Sequence, residues 1–330
     1  MKKVITLGEL MLRLTPMHYN RFVQADRFRA VYGGGEANVA ISMAKFGYYT
    51  YYISKIVDNE IGDAAINQLA QFGVNTDYIV RGGNRMGIYY SEIGASQRPP
   101  RVIYDRKNSS ICEAKKEEFN FEKIFKDADL FHISGIIPAL SKNCYEITLA
   151  AMKEAKRQNV LVSFDLNWRS SVISLEKAVE IYNNLSPYID ILIGILPQLH
   201  DVEPGPLTSE KTKKIFKKVH EYYGFKYVVS TLRESISASD NTLSAAIYDG
   251  KNFYESKRLK LRIVDRVGGG DAFAAGLLTA ILDGKSQEES IDFAVAASAL
   301  KHTIKGDFNL VNRQKVENIV KGDESGRINW

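Results

Sequence analysis

Only two cysteines, Cys112 and Cys144, occur in 330 residues. That excludes a disulfide framework and predicts two reduced thiols in a cytoplasmic protein. No stretch approaches the roughly 18 consecutive apolar residues of a membrane span. The apolar start of the chain is interrupted at Glu9 and Arg13, too early for a secretory signal. A basic block is also missing: the formal charge of +5 is spread along the chain, and Lys211 to Lys218 reads as the solvated face of one helix. Neither nucleic acid nor a membrane is an expected partner. No Gly-Lys-Ser/Thr closes a glycine loop, so any nucleotide chemistry here is not of the Walker type.

What is present is a glycine turn entering an apolar helix, Leu261-Arg-Ile-Val-Asp-Arg-Val-Gly-Gly-Gly-Asp271 followed by Ala272 to Leu282. Gly268, Gly269 and Gly270 let the backbone turn sharply and point amides at a ligand. Asp271 opens the predicted helix, whose almost unbroken apolar sequence buries it on most sides and whose N-terminus offers free N–H groups to an anion. Two readings of Asp271 follow. It is an N-cap worth about 1 kcal/mol, or it accepts the proton of a hydroxyl that attacks a phosphoryl group held on the glycine amides.

Along the chain, Val4 to Leu7 reads as a buried parallel strand. Residues 11 to 32 alternate polar and aromatic side chains and read as exposed antiparallel strand broken at Pro16. Gly33-Gly-Gly-Glu-Ala-Asn38 opens a helix ending at Gly47. It lacks the third glycine of a dinucleotide fingerprint, so either a polar ligand lies against Gly34 near Asn38 or the segment is a tight turn before a helix. Residues 87 to 93 and 101 to 106 form a predicted hairpin. From Asp129 strands and helices alternate, which predicts a mostly parallel sheet covered on both faces. Ligands of such sheets lie beyond the carboxyl ends of the strands, where Asp165, Asn167 and Arg169 follow the strand 160 to 164. Arg169 is suited to a carboxylate or phosphate, or pairs with a surface acid.

Taken together, the two glycine segments and the βα order resemble the ribokinase-like (phosphofructokinase-B type) carbohydrate kinases over almost the whole chain. The form Asp265-Arg-Val-Gly-Gly-Gly-Asp271, with Arg266 and Gly269 at positions more often Thr and Ala, is similar to the 2-keto-3-deoxygluconate kinases of that family. The resemblance implies an α/β fold: one domain over 1–330, a three-layer α/β/α sandwich with a mostly parallel sheet and a small β-sheet lid from about 11–32 and 86–108. It implies ATP and Mg2+ as cofactors and transfer to a primary hydroxyl of the sugar acid, giving the 6-phosphate. Asp271 would be the base and the Gly268, Gly269 and Gly270 amides the anion hole. Gly34, Asn38, Tyr89, Tyr104, Arg106 and Arg169 would bind the sugar acid, although lid tyrosines also serve for packing alone. Ser230 to Ser235, after a strand, resembles the family's nucleotide loop, so that Thr231, Arg233 and Ser235, with Gly268 and Gly270, would bind the nucleotide, and residues 297 to 305 would stand beside the adenine. An exposed lid implies a homo-oligomer paired through that sheet.

One departure bears on the metal. The family's Asn-x-x-Glu segment is replaced by Ile195-Leu-Pro-Gln-Leu-His200, with Asp201 or Glu203 as substitutes among Pro197, Pro204 and Pro206. The metal ligands are therefore unknown from sequence. A neutral-sugar kinase acting on fructose, or a catalytically weak sugar-acid or nucleotide binding protein, is the alternative expectation.

Overall fold

The computed structural model describes residues 2–170, 172–196 and 208–322. Its larger sheet runs through β1 (Lys3–Leu7), β4 (Tyr49–Ile56), β9 (Leu130–Ser134), β10 (Leu161–Asp165), β11 (Ile191–Ile193) and β12 (Tyr227–Ser235), in the spatial order β4-β1-β9-β10-β11-β12, all parallel. β5 (Val74–Asn75) and β6 (Ile79–Arg81) extend the β4 side. The other side ends in antiparallel β13 (Asp240–Tyr248), β14 (Phe253–Glu255) and β15 (Leu259–Arg262).

Alternation along each strand sends neighbouring side chains to opposite faces. Phe131, Phe164, Leu192 and Val228 pack on one face with Ile147, Leu185 and Phe216 from the helices Lys142–Arg157, Leu175–Leu185 and Ser209–Tyr223. Leu130, Ile191, Ile193 and Val229 pack on the other with Val39, Phe273 and Ala294 from the helices Gly35–Lys45, Gly269–Leu282 and Gln287–Lys301. The result is the expected three-layer sandwich. The Lys-rich helix follows the amphipathic expectation too: Thr212, Ile215, Phe216 and Val219 are buried, leaving its lysine row outward.

A separate four-stranded sheet has the order β3 (Phe28–Gly33), β2 (Met11–Pro16), β7 (Ile88–Glu92), β8 (Arg101–Asp105). The predicted hairpin is β7 against β8. The antiparallel reading of 11 to 32 holds for β2 against β3, and Phe28 to Ala30 are exposed as expected, but β2 also pairs with β7 in parallel and is largely buried, with Arg13 only 1% exposed. The antiparallel extension β13–β15 was not expected from the sequence pattern, although Asp249-Gly250 is a turn signal after alternating residues.

Candidate active site

The helix Gly269–Leu282 begins two residues earlier than expected. Its N-cap is Gly268, and Asp271 lies in the first turn, so Asp271 is not the cap. Gly268 has φ +81°, and a Cβ there would overlap the carbonyl oxygen of Asp307, so both conformation and space require glycine. The Gly269 amide is directed to the Arg266 carbonyl at 3.3 Å. Gly268 and Gly270 line the cavity and Gly269 is buried behind them, which narrows the expected three-glycine anion hole.

The early glycine segment meets this helix directly. Asn38 Nδ2 donates to Asp271 Oδ2 at 2.6 Å, and Asn38 Oδ1 accepts the Gly34 N–H at 3.4 Å. Gly34 is extended and lines the cavity, and a Cβ there would overlap the Glu9 backbone carbonyl. Asp165 ends β10 beside Asp271, with its Oδ1 accepting the Asn167 N–H at 3.0 Å. Glu36, buried, accepts the Ser134 N–H at 3.0 Å. Burial pushes the Asp271 carboxyl up to about 6, with Asn38, Arg169 and Lys301 opposing and Asp307 adding. Burial, then the Asp271 charge, raise Asp165 to about 7, and burial raises Glu36 to about 7. Three crowded carboxyls therefore hold protons more tightly than in water, the property a proton acceptor needs.

The other residues expected to bind the sugar acid arrive with different freedoms. Arg169 is exposed at the cavity edge and has no ion pair within 4 Å among the described residues, so the surface-pair reading does not hold. Arg106 lines the same cavity but is already paired: its Nε (2.7 Å) and Nη2 both donate to Glu9 Oε2. Its guanidinium stands over the Tyr104 ring, 5.3 Å from the centroid. Tyr104 is 40% exposed, whereas the Tyr89 hydroxyl is buried and donates to Asp307 Oδ2. Tyr89 thus offers the cavity its ring rather than its hydroxyl.

Sequence reasoning missed the buried charges behind these groups. Arg13 donates to Asp307 Oδ1 at 2.9 Å and pairs with Asp265 Oδ2 at 3.0 Å, tying the lid to the glycine turn. Asp265 also accepts the Val267 and Gly306 amides at 3.1 and 2.9 Å. Lys301, fully buried, donates to the Ile304 carbonyl at 3.0 Å. Asp265 stood inside the recognised motif, but nothing local marks Arg13, Glu9 or Asp307.

On the opposite wall, Ser230 to Ser235 is strand rather than loop, because β13 continues the ladder to Ser235. Thr231, Arg233 and Ser235 share one face of β12 by alternation. Of the three, Arg233 lines the cavity, while Ser235 Oγ turns to Asn241 Oδ1 at 3.4 Å. The loop between β7 and β8 is tied to the turn after β12: the Ser96 carbonyl accepts the Ala238 N–H at 2.8 Å and the Ser96 N–H donates to Ser239 Oγ at 3.0 Å. The open cavity measures about 910 Å³, large enough for two small substrates.

Among the described residues no three His, Cys, Asp or Glu side chains gather as metal ligands. Pro197 to His200, Asp201 and Glu203 lie outside the described residues. The described donor set does not fit a magnesium ion held directly by the protein. No helix among the described residues is long and apolar enough to cross a membrane.

A family model described as pfkB family carbohydrate kinase matches residues 1–311. A crystal structure of 2-dehydro-3-deoxygluconokinase from Thermotoga maritima superposes with a TM-score of 0.95 at 44% identity, covering 98% of this chain and all of that one. A 2-dehydro-3-deoxygalactonokinase from Haloferax volcanii is 30% identical over 98% of both chains. A 2-dehydro-3-deoxygluconokinase from Bacillus subtilis is 27% identical, covering 97% of this chain and 96% of the relative.

Proposed function

The chain belongs to the pfkB family of carbohydrate kinases, and on that premise we propose that it transfers the γ-phosphoryl group of ATP to the primary hydroxyl of 2-keto-3-deoxygluconate (2-dehydro-3-deoxygluconate), giving the 6-phosphate. The observation that carries the mechanism is the Asn38–Asp271 hydrogen bond. It holds Asp271, in the first turn of the helix, at the cavity that Gly268 and Gly270 also line. The substrate hydroxyl oxygen attacks the γ-phosphorus in line, the bond to the bridging oxygen of ADP breaks, and the hydroxyl proton passes to Asp271. A carboxyl with a pKa of about 6 is ionised at neutral pH yet more basic than an ordinary aspartate. The Gly268 and Gly270 amides, with the helix dipole, oppose the charge on the transferring oxygens.

The sugar-acid assignment is supported by the names of the relatives and by Arg169, whose planar fork suits a carboxylate. Arg106, Tyr104 and Gly34 complete the acceptor end, with Arg106 contributing beside Glu9. Magnesium accompanies the nucleotide, bound by its phosphates and water rather than by a carboxylate cluster. Residues 1–330 act as one kinase domain, with β2, β3, β7 and β8 as the lid. Val102, Ile103 and Tyr104 on edge strand β8 are each at least 40% exposed, and pairing of two lids would cover them. The protein works in the cytoplasm.

The test is ATP consumption with 2-keto-3-deoxygluconate, its galactonate epimer, fructose and ribose, beside Asp271→Ala. Turnover on a keto acid that vanishes in the variant is the expected result. Faster turnover on fructose would overturn the sugar-acid assignment.

A further inference from the structure

Two guanidiniums that line the cavity are held by no carboxylate among the described residues. Arg233 Nη1 and Arg266 Nη2 converge on one neutral acceptor, Asn241 Oδ1, at 3.4 and 3.1 Å. Arg266 Nη2 also reaches Ser235 Oγ at 3.5 Å, and Arg233 Nη2 stands 3.0 Å from His302 Nε2. The His302 contact has a fixed sense. Nδ1 lies 2.7 Å from the Ser298 carbonyl, which only accepts, so Nδ1 carries the proton and Nε2 is left as the acceptor for Arg233. Burial, then Arg233, push His302 down to about 4, so the ring is neutral.

Among the described residues neither Arg233 nor Arg266 is in an ion pair, whereas Arg13, Arg81, Arg98 and Arg106 each meet a carboxylate. Two neighbouring cations restrained by neutral acceptors keep their charge. Both line the cavity with Gly268 and Gly270, and Arg266 stands two residues before the turn. Burial and mutual repulsion lower Arg233 to about 10, and burial lowers Arg266. An anion beside both guanidiniums would offset their burial and mutual repulsion, and a polyphosphate supplies one.

We propose that Arg266 and Arg233 form a charge clamp that holds the β- and γ-phosphoryl groups of the nucleoside triphosphate against the Gly268–Gly270 turn, supplying fixed positive charge where the described residues provide no carboxylate-bound metal. This deepens the kinase reading and rests on it for the identity of the donor.

Calorimetric titration of the full chain with ATP, ADP, AMP and adenosine, in chelator and again with Mg2+, tests the clamp. The intact protein in chelator is expected to bind ATP at least tenfold more tightly than AMP. Arg266→Thr should lose most of that preference, leave adenosine and keto-acid affinity within twofold, and recover partly as Arg266→Lys, while Arg262→Ala at the surface changes nothing. Inorganic tripolyphosphate should displace ATP from the unmodified protein, a measurement independent of any variant's folding. Unchanged ATP preference in folded Arg266→Thr, or no displacement by tripolyphosphate, overturns the clamp. Loss of the preference in a protein that phosphorylates no sugar would keep the clamp and reject the kinase reading; sugar turnover with an unaltered preference would do the reverse.

Discussion

The two walls of the cavity carry similar positive charge and neutralise it differently. On the acceptor wall cations sit among acids: Arg106 with Glu9, Arg13 with Asp265 and Asp307, and Arg169 near Asp165 and Asp271. On the donor wall Arg233 and Arg266 lean on an amide and an imidazole. Acids beside cations hold protons and position hydroxyls, whereas cations beside neutral acceptors wait for an anion. On the proposed mechanism the contrast would divide the work, with proton uptake at one wall and phosphate binding at the other.

The sharpest break of that contrast is Asp271→Ala, which should lower kcat by roughly 10²–10⁴-fold with keto-acid and ATP binding retained in calorimetry. Equal losses of binding and turnover would make Asp271 structural. Next in size is stability. Arg13→Met strands two buried carboxylates and should cost about 3–5 kcal/mol in urea unfolding, whereas Arg233→Met orphans no acid and should leave stability near or above the parent. Similar losses in both would erase the difference between the walls.

Substrate selectivity comes third. Arg169→Ala removes charge-assisted hydrogen bonds and should raise KM for the keto acid by roughly 10–100-fold, with KM for ATP nearly unchanged; the reverse pattern would move Arg169 to the donor side. A smaller handle is pH. Asp271 must be ionised to accept a proton, and burial has raised its pKa to about 6. Acidification through that value protonates it, so kcat/KM should fall about tenfold per pH unit below it and level off above it. A profile that is flat across pH 6 contradicts the assignment. Smallest of all, Ser235→Ala at the exposed end of β12 should shift stability and ATP affinity by less than about 0.5 kcal/mol.

Much of this was legible in the chain. Gly34, Asn38, Gly268 and Asp271 stand in short-side-chain patterns whose backbone demands are local, and Asp165 and Arg169 follow a strand whose carboxyl end must face the crevice. Other features escaped for a stated reason. Arg13 lies 294 positions from Asp307, and its place in an alternating strand suggested a solvated charge. Glu9 gave no hint that it would occupy Arg106. Ser230 to Ser235 looked like a loop because the partner that extends the strand, β13, itself went unread.

Hydrophobic periodicity and glycine placement, properties of neighbouring residues, determined the layers, the two turns and the buried helix that carries Asp271. Tertiary structure alone decided which charges meet. Proton affinity and ion pairing depend on burial and on distances of a few ångströms between segments far apart in the chain, and no local pattern encodes those. The same arginine side chain is therefore a structural tie at position 13, a cavity-lining group already engaged by Glu9 at 106 and, at 266, a charge with no carboxylate partner among the described residues.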